Sequence, residues 1–88
     1  MPRYFVDTHD GACLLRDEDG CEFACASAAC AAAMRALPEI ARDLIAGGGE
    51  LACSGLNDLT ATVRDGHGRA LFRATLSLRA EHLVPHLV

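Results

Sequence analysis

Cysteine thiols are the groups in this 88-residue chain that most directly suggest chemistry, because a thiolate is both a nucleophile and a metal ligand. The chain has five: Cys13, Cys21, Cys25, Cys30 and Cys53. Cys25 precedes a predicted helix, and the helix dipole at that end favours a reactive thiolate. No C-x-x-C pair accompanies it, and no histidine lies close in sequence. We favour the alternative that Cys25 is a small apolar residue in the place of a polar helix cap.

Metal binding is the second chemistry that the cysteines and histidines suggest. Three and four residues separate Cys21, Cys25 and Cys30, and three separate His82 from His86. These spacings reach the limits of zinc motifs, but strand alternation and the helix would point the cysteines in different directions. The Asp-Glu-Asp-Gly run lacks the later ligands of a calcium loop. We therefore predict no catalytic, cofactor-binding or metal-binding residue, and no cofactor.

The cysteine count also bears on disulfides. An odd number leaves at least one thiol unpaired, and no export signal is recognisable, so a reduced state is expected. Cys13 and Cys21 flank a predicted loop, but a four-residue loop between paired strands would place them on opposite faces. A disulfide framework is therefore not predicted.

Charge is unevenly distributed along the chain. The net charge is −4, which argues against a protein that coats nucleic acid. Three arginines fall on the outer side of the last predicted hairpin: Arg64, Arg73 and Arg79. The first predicted hairpin carries six acidic residues: Asp7, Asp10, Asp17, Glu18, Asp19 and Glu22. This separation could bind an anion or an acidic partner, or fit the acidic end of a neighbouring copy. The alternative is a solvated sheet face with cross-strand pairs, and the absence of interleaved aromatics disfavours nucleic acid.

Strand-like segments dominate the first part of the chain. Residues 3–8 alternate, with Tyr4, Val6 and Thr8 on one face. Asp-Gly at 10–11 is a turn signal. The apolar runs 13–16 and 21–23 surround an acidic loop that ends in glycine. This pattern predicts a hairpin between the two runs, in which Arg16 faces Cys21, Leu14 faces Phe23 and Gly20 supplies a positive φ.

A single helical pattern follows, over residues 26–46. Its apolar positions recur at steps of three and four: Cys30, Ala33, Leu37, Ile40 and Leu44. Pro38 lies inside the run and predicts either a kink or the start of a second helix. The glycines at 47–49 predict its end.

The last part of the chain predicts a second hairpin. Residues 50–57 are predicted as a loop, and 59–64 as a strand whose inner residues are Leu59, Ala61 and Val63. Residues 65–68 form a turn signal. The strand 70–79 has the clearest alternation, with Ala70, Phe72, Ala74, Leu76 and Leu78 inward and Leu71, Arg73, Thr75, Ser77 and Arg79 outward.

The element order β-β-β-α-β-β predicts an α+β domain over residues 1–80, with one helix packed on an antiparallel sheet and a tail over 81–88. No membrane-spanning segment is predicted, since the longest apolar stretch is far below about 20 residues. We expect a cytoplasmic protein.

Several of these segments resemble a family of short bacterial proteins of unknown function. The resemblance covers roughly residues 1–79 and rests on Met-Pro-Arg-Tyr-Phe-Val-Asp at 1–7, Asp-Glu-Asp-Gly before an alanine-rich helix, and Val-Arg-Asp in the last hairpin. It implies no activity, cofactor or catalytic residue. Where relatives have Pro-Asp before the helix this chain has Ala24 and Cys25, so Ser27 or Cys25 must cap the helix.

Taken together, the sequence predicts a non-enzymatic interaction or regulatory module. An uncharged first half of the helix and a sheet face bearing Leu71 favour a homodimer, with an unidentified protein as a second kind of partner. Two alternatives stay open at this point: a thiol- or metal-dependent protein, and a nucleic-acid-binding accessory protein.

Overall fold

The computed structural model describes residues 2–11, 13–46, 55–81 and 83. Its elements follow the predicted order β-β-β-α-β-β, so the α+β class is confirmed. They are β1 Arg3–His9, β2 Leu14–Leu15, β3 Cys21–Glu22, α1 Ala26–Ala46, β4 Gly55–Arg64 and β5 Ala70–Ala80.

The strands form one antiparallel sheet in the order β2-β1-β4-β5, and β3 also pairs with β1. The centre of the sheet is β4, with Val63 opposite Val6 of β1 and opposite Phe72 of β5. A register shift at Val63/Arg64 bends the end of the β4–β5 ladder. Ala70, which was predicted to point inward, is exposed at this end.

The core lies between α1 and β4. Its buried residues are Ala29, Ala33, Leu37, Leu59, Ala61 and Val63. Alanine at two of the three helix positions allows the helix backbone to approach the sheet closely, because no longer side chain stands between them. The predicted inner residues of β4 are confirmed, and Tyr4 and Val6 of β1 pack against the same core.

The helix runs without interruption through Pro38, which is exposed. Proline lacks the N–H that would bond to the carbonyl of Met34, but an exposed position leaves that carbonyl open to water. A second helix starting at Pro38 is therefore excluded. The glycines predicted to end the helix, at 47–49, lie outside the described residues.

The predicted hairpin between β2 and β3 is wrong. Both segments pair with β1 instead, Leu15 opposite Thr8 and Cys21 opposite Tyr4. The chain reverses earlier, at Gly11, whose φ is 93°. Since both runs then follow one edge of β1, the residues between them bulge out as a loop, and Gly20 does have the predicted positive φ, 70°. We call residues 16–20 the edge loop.

The start of β4 also differs from the prediction, because the strand begins at Gly55 rather than Leu59. The predicted loop covered residues 50–57, so its last three residues belong to the strand. Residues 55–58 are extended because they pair with β5: Gly55 lies opposite Ala80 and Asp58 opposite Ser77. Pairing with a long neighbour outweighs weak local strand propensity here.

No helix among the described residues has both the length and the apolar character that crossing a bilayer requires. Of the predicted tail, only residues 81 and 83 are described.

Candidate functional site

The strongest charged contact among the described residues joins Asp7 of β1 to Arg64 of β4. The two residues lie on the face of the sheet away from α1, which we call the outer face. Arg64 Nε donates to Asp7 Oδ2 at 2.6 Å, and Arg64 Nη2 donates to Asp7 Oδ1 at 3.1 Å. Their side chains are only 13% and 12% exposed, so this two-point pair is far better shielded than an ordinary surface ion pair.

The edge loop is tied to the same pair. The backbone N–H of Asp17 donates to Asp7 Oδ1 at 2.9 Å, and Arg64 Nη2 donates to the Asp17 carbonyl at 2.9 Å. The Asp17 carboxylate accepts from the N–H of Val6 at 3.1 Å and of Gly20 at 2.9 Å. Asp17 therefore supplies, at Val6, the acceptor that a continuous edge strand would have supplied.

Gly20 closes the loop against an aromatic side chain. A Cβ at this position would lie 2.8 Å from Phe5 Cε2 and 2.9 Å from the Tyr4 carbonyl oxygen. The Arg64 guanidinium lies over the same Phe5 ring, 5.0 Å from its centroid. Glycine is required here both by its positive φ and by the space.

These contacts set the protonation of the pair. Hydrogen bonding to Arg64 holds the pKa of the Asp7 carboxyl below its ordinary value, against the opposing effect of burial. Hydrogen bonding to Asp7 raises the pKa of Arg64. Both side chains hydrogen-bond to each other and to the edge loop, so the pair joins β1, β4 and the loop.

The predicted separation of arginines from acids fails at this position. Arg64 was expected to offer its charge to an anion or an acidic partner, but it lies against Asp7 and Asp17, residues of the other hairpin. Arg73 donates from Nε to Thr62 Oγ1 at 3.1 Å and remains exposed, as does Arg79. Sequence reasoning missed the pair because it paired β2 with β3 and left the neighbour of β1 unassigned.

The other acidic residues between β1 and α1 either contact nearby residues or are exposed to solvent. Asp10 Oδ1 accepts from the N–H of Cys13 at 2.8 Å in the turn after β1. Glu22 lies 3.7 Å from Arg3 in an exposed ion pair. Glu18 and Asp19 of the edge loop are exposed.

The four thiols among the described residues are not part of a cluster of metal ligands. Cys13, Cys21 and Cys25 are exposed and Cys30 is half-buried, all four unbridged. No group of three or more potential metal ligands occurs among the described residues, and Cys53, His82 and His86 lie outside them. The Cys25 carbonyl accepts from the Ala29 N–H at 3.4 Å, which makes Cys25 rather than Ser27 the N-cap residue of α1.

The strand β5 leaves one side without a neighbour among the described residues, since it pairs only with β4. We call this side the open edge. It is 11 residues long, and the register shift near its start leaves Leu71 without a partner in β4. Phe72, Ala74 and Leu76 point toward the helix side and pack against the core, yet they are only half-buried, because α1 lies over β4.

A family model described as a domain of unknown function (DUF6894) matches residues 3–77. The matched segment runs from the start of β1 into β5 and so takes in the helix, the edge loop and the Asp7–Arg64 pair. The chain belongs to this family. No curated protein and no solved structure matches it.

Proposed function

We propose that this chain is a non-catalytic interaction module that works as a homodimer, joined through the open edge of β5. The observation that carries the proposal is the length of that edge. An unpaired strand presents a row of backbone N–H and C=O groups, and proteins normally shorten, charge or cover such an edge unless another strand is to be added. At about 3.3 Å per residue, the 11 residues of β5 offer roughly 36 Å of pairing surface.

The half-buried apolar row of β5 supports the same contact. In a β5–β5 pair centred on Thr75, Ala74 would lie opposite Leu76 of the other copy and Phe72 opposite Leu78, on the helix side of a continuous sheet. Apolar area that α1 leaves partly in water would then be covered. For a chain of 88 residues, whose own core is small, this is a substantial gain.

The side chains also permit a symmetric antiparallel register centred on Thr75. Two-fold symmetry then places Arg73 opposite Ser77 and Leu71 opposite Arg79 of the other copy. No like charges lie directly opposite each other in this arrangement, although Arg73 is the diagonal neighbour of Arg79 of the other copy.

The non-catalytic part of the proposal rests on the role of the charged groups. The best-shielded of them, Asp7 and Arg64, are occupied in holding the edge loop. We extend the proposal to the bacterial cytoplasm, which agrees with the four unbridged cysteines among the described residues.

The experiment measures mass by light scattering over a dilution series. The wild type is expected to change from two chains to one on dilution. Thr75→Lys places two lysines opposite each other at the symmetry axis and is expected to be a monomer, as is Thr75→Glu. Mixing the two variants should restore a dimer, because lysine then faces glutamate.

The matched control is Thr60→Lys, which puts the same charge on the neighbouring residue of β4, opposite Thr75 within the sheet. It should leave the dimer intact. A wild type that stays at one chain at high concentration, or variants that fail to re-form a dimer when mixed, would count against the open edge as the contact. Circular dichroism of each variant verifies that the fold persists.

A further inference from the structure

The opposite border of the sheet carries a second surface, a groove between α1 and the edge loop. Its volume is about 900 Å³. We call it the edge groove. Its floor is apolar, from Val6, Leu15, Ala36 and Ile40, and its rim is acidic, from Asp17, Glu18 and Asp19. It exists because α1 lies over β4 and leaves β2 uncovered.

We propose that the edge groove binds a basic, amphipathic helical segment of a partner protein. The first support is the exposure of its leucines: Leu15 is 72% exposed and Leu14, on the same two-residue strand, 63%. Leu15 lies opposite Thr8, on the helix side of the sheet, where an added apolar side chain would reach Val6 and Ile40. A helix that lays an apolar stripe into such a groove is a common mode of recognition.

Charge selects the kind of partner. Three consecutive acidic residues of the edge loop, 17–19, line the groove, and the only base among the described residues that line it is Arg16. The Asp17 carboxylate is held in place by the N–H groups of Val6 and Gly20, so one negative charge keeps a defined position. A segment with lysine or arginine flanking its apolar stripe would match this rim.

The same charges argue against other occupants. A second copy docked symmetrically in the groove would bring two acidic rims together, and nucleic acid would meet them with its phosphates. The dimer contact proposed above lies on β5, at the other border of the sheet, so the two surfaces can be occupied together.

The test uses fluorescence anisotropy with a labelled synthetic helix that carries leucines on one face and lysines on the other. A peptide with each lysine replaced by glutamate is the negative probe. We expect the lysine peptide to bind and the glutamate peptide not to bind. Leu15→Asp should weaken binding of the lysine peptide about tenfold, and Glu18→Lys several-fold with a smaller salt dependence.

Glu81→Lys is the matched control, since Glu81 is exposed beyond β5 and away from the groove. It changes the net charge as Glu18→Lys does and should leave the affinity within about twofold. Equal losses in the two lysine variants would mean that the peptide follows net charge, and the proposal would be wrong. Unchanged binding in Leu15→Asp, or no binding by the wild type, would also overturn it. Binding of the lysine peptide by Thr75→Lys, the monomeric variant, would show that the edge groove works without the proposed dimer.

Discussion

The two borders of the sheet are built in opposite ways. On the β1 side the border is broken into two-residue strands, and a side chain, Asp17, takes the place of the missing backbone acceptor between them. On the β5 side the border is a single strand of 11 residues. Short, interrupted edges resist strand addition and long flat ones invite it. One border of this small domain is thus interrupted, and the other is the one that the proposal above assigns to a second copy.

The largest loss of stability is expected from a substitution at Gly20, which closes the edge loop. We expect Gly20→Ala to lower the free energy of unfolding by about 3 kcal/mol. Two costs add here: alanine is strained at a positive φ, and its Cβ would displace the Phe5 ring. Gly68, in the β4–β5 turn, has a φ of 83°, but a Cβ added there would meet nothing within 4 Å. Gly68→Ala should therefore cost only the backbone part, about 1 kcal/mol. Urea unfolding of both variants measures the difference, and equal losses would show that Phe5 yields without cost.

A second, smaller effect is expected at the ion pair. Asp7→Asn should lower the free energy of unfolding by about 2 kcal/mol, because a shielded carboxylate that accepts from Arg64 and from the Asp17 N–H is replaced by an amide. Asp58→Asn is the control on the same outer face: Asp58 accepts from the exposed Ser77 hydroxyl at 2.7 Å, a contact worth about 0.5 kcal/mol. If the two substitutions had the same effect, the Asp7–Arg64 pair would hold the edge loop no better than a surface contact.

The smallest expected effect is a dependence on pH. The folded chain lowers the pKa of Asp7, and the unfolded chain returns it to about 3.9, so the unfolded state binds the proton more readily. The contribution of Asp7 is thus complete above about pH 5 and is lost as the pH falls through the pKa of the folded carboxyl. Asp65 acts in the same direction, because the N–H groups of Arg69 and His67 donate to it and lower its pKa.

Unfolding of wild type and Asp7→Asn at a series of pH values tests whether the charge of Asp7 is the source of its stabilising effect. The stability difference between them should shrink as the pH falls, since a protonated Asp7 resembles asparagine. A difference that is the same in neutral and strongly acidic solution would assign the effect of Asp7→Asn to packing rather than charge.

The local sequence pattern was sufficient to predict much of the fold. The helix over 26–46 follows from the spacing of its apolar residues, and the alternation in β4 and β5 identifies which residues face it. Gly20 was recognisable as a positive-φ position from its place after three acids. Each of these properties depends on neighbours a few residues away, which any folded state of this chain must satisfy.

The turn at 65–68 predicted that β4 pairs with β5, but the partners of β1 were decided only in three dimensions. Residues 14–15 and 21–22 have the pattern of two strands, but nothing local shows whether they pair with each other or share one edge of β1. That choice brings Asp17 beside Arg64, 47 residues away, and so creates the shielded pair, the edge loop and the groove beside it. Pairing between segments that no short turn connects is set by long-range contacts, which a local pattern does not specify.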